Sequence, residues 1–236
     1  MNKRAKIIFG AAVAGLVVLA GFTLYRGYLG RRSASVITFL RAPEEHADWM
    51  MNALSQCEQA PFSFPSQGYI GYLWGDSFRP FHKHQGIDIF AGTDVGVTPV
   101  YAPYDGYLTR EESWKSSLII RVPDDPLHPG TQIWLYMTHL ADPQGDSLIV
   151  DKFPAGTKEK LVRRGDLLGY QGNYSGNPDS PTGVHLHFSI VRDDGSGKYL
   201  NELEFANTLD PSPYFKLPLN GKSNKDAIPL CSVMEN

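Results

Sequence analysis

The chain has 236 residues with 22 basic and 25 acidic side chains, a net charge of −3, so its charge gives no sign of nucleic-acid binding. Seventeen prolines and 23 glycines argue for short strands and many turns and against a helical bundle. Some 200 residues follow the first apolar run, roughly enough for one domain with a sizeable core.

Ile7 to Tyr25 carries no charge and follows Lys3, Arg4 and Lys6. As a helix it would be about 28 Å long, close to the hydrocarbon thickness of a bilayer. It reads as an uncleaved transmembrane signal anchor over 7–25 behind a basic cytoplasmic head at 1–6. A cleaved secretory signal is the alternative. Residues 26–60 read as a linker. Within it, Pro43 to Cys57 has proline and acids in its first turn and Trp49, Met50, Ala53, Leu54 and Cys57 on one face, which predicts a helix serving as a spacer or packing arm. His46 in its polar first turn is expected to be solvated.

From Pro61 the pattern changes. Tyr69 to Trp74 is aromatic and glycine-punctuated. Strands are expected within 81–90, at 97–102, 106–109, 118–122, 133–140, and within 160–169, with turns or loops at 75–80, 124–130 and 171–183. Closely spaced strands without long intervening helices predict a compact, mainly antiparallel β-sheet or sandwich domain over 61–218, followed by a polar tail at 219–236. The two cysteines, Cys57 and Cys231, flank that domain. In an exported protein they are candidates for a disulfide, the alternative being two free thiols.

The stretch Thr182-Gly-Val-His-Leu-His-Phe-Ser-Ile190 is the most informative. As a strand it turns His185 and His187 to one face, roughly 6.6 Å apart, and Leu186 and Phe188 to the other. Two imidazoles on one face suggest a metal or a proton-transfer pair. His84-Gln-Gly-Ile-Asp88 is the natural partner. In a straight strand its two ends would lie roughly 13 Å apart, so Gly86 is expected to bend the chain and bring a loop histidine to a strand aspartate. With one imidazole of the pair this makes a His, Asp, His set with an open position, which suits a catalytic zinc. His82 either replaces His84 or is merely exposed; His139 ends a strand and His128 lies in a loop, and on spacing alone these two read as surface residues. Tyr72, Trp74 and Tyr174 are either cleft-lining or core and rim aromatics.

In chain order, His84-Gln-Gly-Ile-Asp88, Thr98-Pro-Val-Tyr-Ala-Pro-Tyr-Asp-Gly106, Tyr136-Met-Thr-His-Leu140, Val162 to Gly172, Thr182 to Phe188 and Leu209-Asp-Pro211 resemble the lysostaphin-like, or LytM-type, zinc endopeptidases that cut peptidoglycan peptides. The resemblance covers roughly residues 66–216. It implies the duplicated-hybrid-motif β fold, one Zn2+ held by His84, Asp88 and His187, and His139 and His185 as the catalytic pair. It further implies peptidoglycan peptides as partners and a bacterial inner-membrane protein with its catalytic domain in the periplasm, or a secreted one if 7–25 is cleaved. D-alanyl–diaminopimelate bridges are the expected substrate. A non-catalytic wall-binding or hydrolase-activating module is the alternative, and a latent enzyme with the 43–57 segment across its cleft is a third. The chain departs from the family's pattern in a proline-rich loop before His139, in Met137 where tyrosine is frequent, and in a longer loop before His185.

Overall fold

The computed structural model describes residues 3–77 and 82–231, with the backbone alone described for 3–14, 25–26, 28–29 and 31. The turn expected over 75–80 and the start of the 81–90 stretch therefore lie partly outside the described residues. Helix α1, Lys3–Arg41, opens the chain. Among the described residues no helix is long and apolar enough to cross a membrane, so the span expected at 7–25 gains no support.

The helix expected over 43–57 is not formed. Pro43–Trp49 is a short 3-10 turn that kinks at His46, and Met50–Met51 (β1) already pairs with Gly68–Tyr72 (β2). Leu54 adopts a positive φ of 64°, which ends any helical continuation. Helix α1 instead extends through the segment expected to be a linker. Val36 and Phe39 pack on Tyr69 and Phe90, and a Cβ on Gly71 would meet Val36 Cγ2 at 2.6 Å, so glycine is what lets helix and sheet approach.

The remaining strands are β3 (Ile87–Phe90), β4 (Pro99–Tyr101), β5 (Gly106–Thr109), β6 (Leu118–Val122), β7 (Ile133–Thr138), β8 (Lys160–Val162), β9 (Leu167–Tyr170), β10 (Leu186–Arg192) and β11 (Thr208–Leu209), before the one-turn helix α2 (Ser212–Phe215). The main sheet runs β1-β2-β3-β10-β7-β6-β5-β8, with β11 also on β10; β4 and β9 form a separate pair. All pairings among these strands are antiparallel, as the pattern predicts.

One face of the central strands is apolar. Ile87 and Ile89, Leu186, Phe188 and Ile190, and Leu135 and Met137 all enter the main core. The other face carries the histidines between two smaller clusters, Val36/Phe39/Tyr69/Phe90 and Ile119/Trp134/Val191.

Cys57 and Cys231 form a disulfide across a sequence separation of 174 residues, and both lie against the main core. A loop of that length removes substantial chain entropy from the unfolded state. Reduction, or Cys57→Ser, is expected to cost about 2–5 kcal/mol, read as a lower thermal midpoint. Coincident melting curves with and without reductant would contradict this.

Candidate metal centre

Strand register builds the site. Asp88 on β3 and Thr138 on β7 are the cross-strand partners of His187 on the central β10, one on each side. His185 immediately precedes β10, in an isolated bridge with Gly172, and shares the face of His187. The strand expected over 182–190 therefore begins later than its sequence suggests, while its alternation holds.

His84 reaches the group from the loop before β3. Its N–H donates to the Asp76 carbonyl at 2.8 Å, and its own carbonyl accepts from Gly75 N–H at 2.8 Å. Gly86 is the close-approach point: a Cβ there would sit 2.1 Å from the Phe188 carbonyl oxygen. The bend expected at this glycine is a passage of backbone hard against β10.

The donor atoms converge. His84 Nε2 lies 3.0 Å from Asp88 Oδ1 and 3.0 Å from His187 Nδ1, and His187 Nδ1 lies 2.8 Å from the same carboxylate oxygen. His84, Asp88 and His187 are the group of described residues placed to hold a metal ion. Their other contacts reveal the tautomers. His84 Nδ1–H donates to the Leu73 carbonyl at 3.1 Å, which leaves Nε2 as a lone pair in the neutral ring. His187 Nε2 is 2.9 Å from Ser189 Oγ; with the proton there, Nδ1 is also a lone pair. Three acceptors within hydrogen-bond distance repel unless a proton or a cation sits among them. A tetrahedral zinc with bonds of about 2.0 Å holds its ligands roughly 3.3 Å apart, close to these separations, and two imidazoles with one carboxylate form a usual zinc donor set. The residues present fit the ion.

Two more rings complete the arrangement. His185 Nδ1–H donates to the Gly183 carbonyl and His139 Nδ1–H to the Tyr174 carbonyl, each at 2.7 Å, so each neutral ring keeps an unprotonated Nε2. His185 Nε2 is 3.7 Å from Asp88 Oδ1, and the His139 and His185 rings lie 4.4 Å apart. His139 adopts a φ of 69°, an uncommon conformation for a non-glycine residue that concentrates at functional sites. That backbone turn at the end of β7 is why spacing alone made it look like a surface residue.

Burial governs the protonation of the cluster. His84, Asp88 and His185 are each less than a tenth exposed. Burial pushes the Asp88 carboxyl up, but the charges of His84 and His185 and hydrogen bonds from the histidines hold it well below the usual range. Burial lowers His84 too, yet the Asp88 carboxylate outweighs it and the pKa is raised. His187 is lowered by burial despite its contact with Asp88. His185 is pushed down to about 4, by burial first, only partly offset by Asp88, with His139 adding to the fall.

A cavity of about 360 Å³ opens beside the cluster, lined by His139 and His187 together with Tyr136, Tyr174 and Glu202. None of its lining residues comes from 43–57. Met137 is buried in the core and Tyr136 lines the cavity. The register of β7 against β10 and β6 is regular, so simple alternation, without a bulge, puts the tyrosine on the site face. Tyr72, whose hydroxyl meets Ser33 Oγ at 2.9 Å, lies with its ring 6.2 Å from that of His84. Trp74 stacks on Phe205 at 4.5 Å, outside this cavity. His82 lines a neighbouring depression, His46 stacks on Trp49, and His128 bonds Asp125 at 3.0 Å. Leu73 and Ser189, which hold the ligand rings, carry no signal in the sequence beyond the position of Ser189 two residues after His187.

Among solved structures, the fold is similar to the antimicrobial peptidase lysostaphin from Staphylococcus simulans (17% identity over 70% of this chain and 55% of that one, TM-score 0.40). It is also similar to the catalytic domain of the prophage-encoded M23 protein EnpA from Enterococcus faecalis (20%, 64% and 96%, TM-score 0.38) and to Csd3 from Helicobacter pylori (18%, 61% and 34%, TM-score 0.36). The chain thus spans about a third to just over half of lysostaphin and Csd3. At these scores the likeness carries no argument about chemistry, which rests on the side chains above. No protein-family model and no curated protein matches the sequence.

The Ser189 hydroxyl fixes the ring of His187. Ser189→Ala is expected to weaken zinc affinity about 10–100-fold with little change in melting temperature, measured by competition with a chromophoric chelator. Unchanged affinity would show that Ser189 does not hold the ring.

Proposed function

We propose that this chain is a zinc-dependent endopeptidase that hydrolyses peptide cross-links of peptidoglycan. His84, Asp88 and His187 hold one zinc ion, and His139 and His185 are the catalytic pair. The observation that carries the reading is the triangle of acceptor atoms, 2.8–3.0 Å on a side, beside two more imidazoles, of which His139 lines an open cavity and His185 lies 3.7 Å from Asp88.

Zinc, when bound, lowers the pKa of a water toward roughly 7 and polarises a carbonyl. The protein's own contribution is orientation and proton handling. The carbonyls of Tyr174 and Gly183 hold His139 and His185 with Nε2 free, so the pair can take the proton released by the attacking water and return it to the leaving amine. His139 lines the cavity and is the ring nearer an incoming peptide. His185 stacks on Phe90 at 4.9 Å and stays beside Asp88. A ring that has taken the proton also stabilises the developing oxyanion. A complete donor set and a proton-transfer pair are more than a non-catalytic wall-binding module requires, which favours the enzyme.

The place of action we infer is outside the cytoplasmic membrane, in a bacterial periplasm. The Cys57–Cys231 disulfide supports an oxidising compartment.

Incubation of the full chain with purified peptidoglycan is expected to release peptides with new amino termini. Release should stop with a chelator, return with zinc, and be absent for His187→Ala. Equal product profiles from wild type and His187→Ala would sink the proposal.

A further inference from the structure

Among the described residues, the cavity beside His139 and His187 has one formally charged lining residue other than histidine, Glu202. Its neighbours on the wall are Tyr136, Gln85 and Leu203, the last 71% exposed. Glu202 is held in place: the Tyr199 hydroxyl donates to Oε2 at 2.9 Å. Burial raises the Tyr199 pKa, and the Glu202 charge and hydrogen bond raise it further, so the phenol remains a donor. That bond uses one oxygen as acceptor, and a carboxylate has capacity for several more.

No ion pair neutralises Glu202 among the described residues. Of the nearby lysines, Lys83 lies over the Phe205 ring at 5.0 Å and Lys115 over the ring of Tyr174, on the wall of the cavity, at 5.6 Å; neither forms an ion pair with Glu202 among the described residues. The aromatic wall runs on to the metal cluster, with Tyr199 and Tyr136 rings 6.4 Å apart and Tyr136 and His187 rings 6.3 Å apart. The same cavity of about 360 Å³ is lined by both Glu202 and His187, so one occupant can meet both. A tethered carboxylate without an ion-pair partner in a cavity shared with the histidine cluster attracts a cation on the ligand and disfavours an anion there.

We propose that Glu202, positioned by Tyr199, is a specificity-determining residue that receives an ammonium group carried by a peptide bound in this cavity. Its place beside catalysis rests on the endopeptidase reading, but the recognition itself does not require hydrolysis. The ligand class is a short peptide with a free amine, on a diamino-acid side chain or a chain terminus. Leu203 and the tyrosines cover the aliphatic stem of that residue.

The test is binding to the full chain with chelator present, so that no cleavage intervenes. The probes are N- and C-blocked tetrapeptides that differ only in lysine, Nε-acetyl-lysine or glutamate at one position. The lysine peptide is expected to bind about tenfold more tightly than the acetylated one and more tightly still than the glutamate one, with the preference shrinking at high salt. Glu202→Gln should bring the three affinities together, and Tyr199→Phe should reduce the preference without abolishing it. Equal affinities in wild type, or a lysine preference that survives Glu202→Gln in a variant with wild-type melting behaviour, overturns the proposal. The peptidoglycan digest reads the endopeptidase proposal separately, so either can fail alone.

Discussion

Asp88 Oδ1 is the atom on which the rest of the site depends. It is buried and lies within 3.0 Å of nitrogens from two imidazoles, both of whose other nitrogens already have partners for their protons. A buried carboxylate facing two lone pairs is costly unless positive charge joins them. The sheet bears that cost because its opposite face is wholly apolar. Ile87 and Ile89 flank Asp88, and Leu186 and Phe188 flank His187; all four are fully buried. A one-residue slip of β3 against β10 would turn Asp88 into the core and an isoleucine toward the histidine cluster. The alternation that builds the core is therefore the same alternation that aims the ligands.

Much of this was readable from residue order. The strands at 106–109 and 118–122 lie where their β-branched and aromatic residues put them, the antiparallel class follows from the spacing of turns, and the paired histidines do share a face. Gly86 was legible as a bend because no straight strand could join His84 to Asp88. His139 was not legible from periodicity, because its position depends on a left-handed backbone turn that no local composition announces; only the resemblance pointed to it. The carbonyl acceptors of Leu73, Tyr174 and Gly183 were beyond reach for a different reason. A backbone oxygen carries no residue identity, so its role is set by the fold alone.

The helix at 43–57 shows the opposite failure. Proline, acids and an apolar face make a good local case for a helix, but Met50 and Met51 gain more by pairing with β2, where Met50 packs beside Tyr69 and Phe90 and Met51 enters the main core. Tertiary contacts override propensity where the helix would be short.

The end of α1 contributes more than a connection. Arg32 Nε lies 2.9 Å from Asp76 Oδ2, and that same oxygen accepts from the Leu73 N–H at 2.8 Å. Leu73 in turn accepts the Nδ1 proton of His84 through its carbonyl. Burial raises the pKa of Asp76, and Arg32 is the largest influence opposing it. Without that guanidinium, Asp76 would be a poorly compensated charge in the loop whose carbonyls orient His84. Ser33 meets the hydroxyl of Tyr72, which a register shift in β2 places opposite Asp88. Two consecutive residues of the helix thus support the site from behind, one through the His84 loop and one through the strand beside Asp88. The segment upstream of the strands belongs to the scaffold of the His84–Asp88–His187 cluster, because the orientation of His84 depends on what holds Leu73.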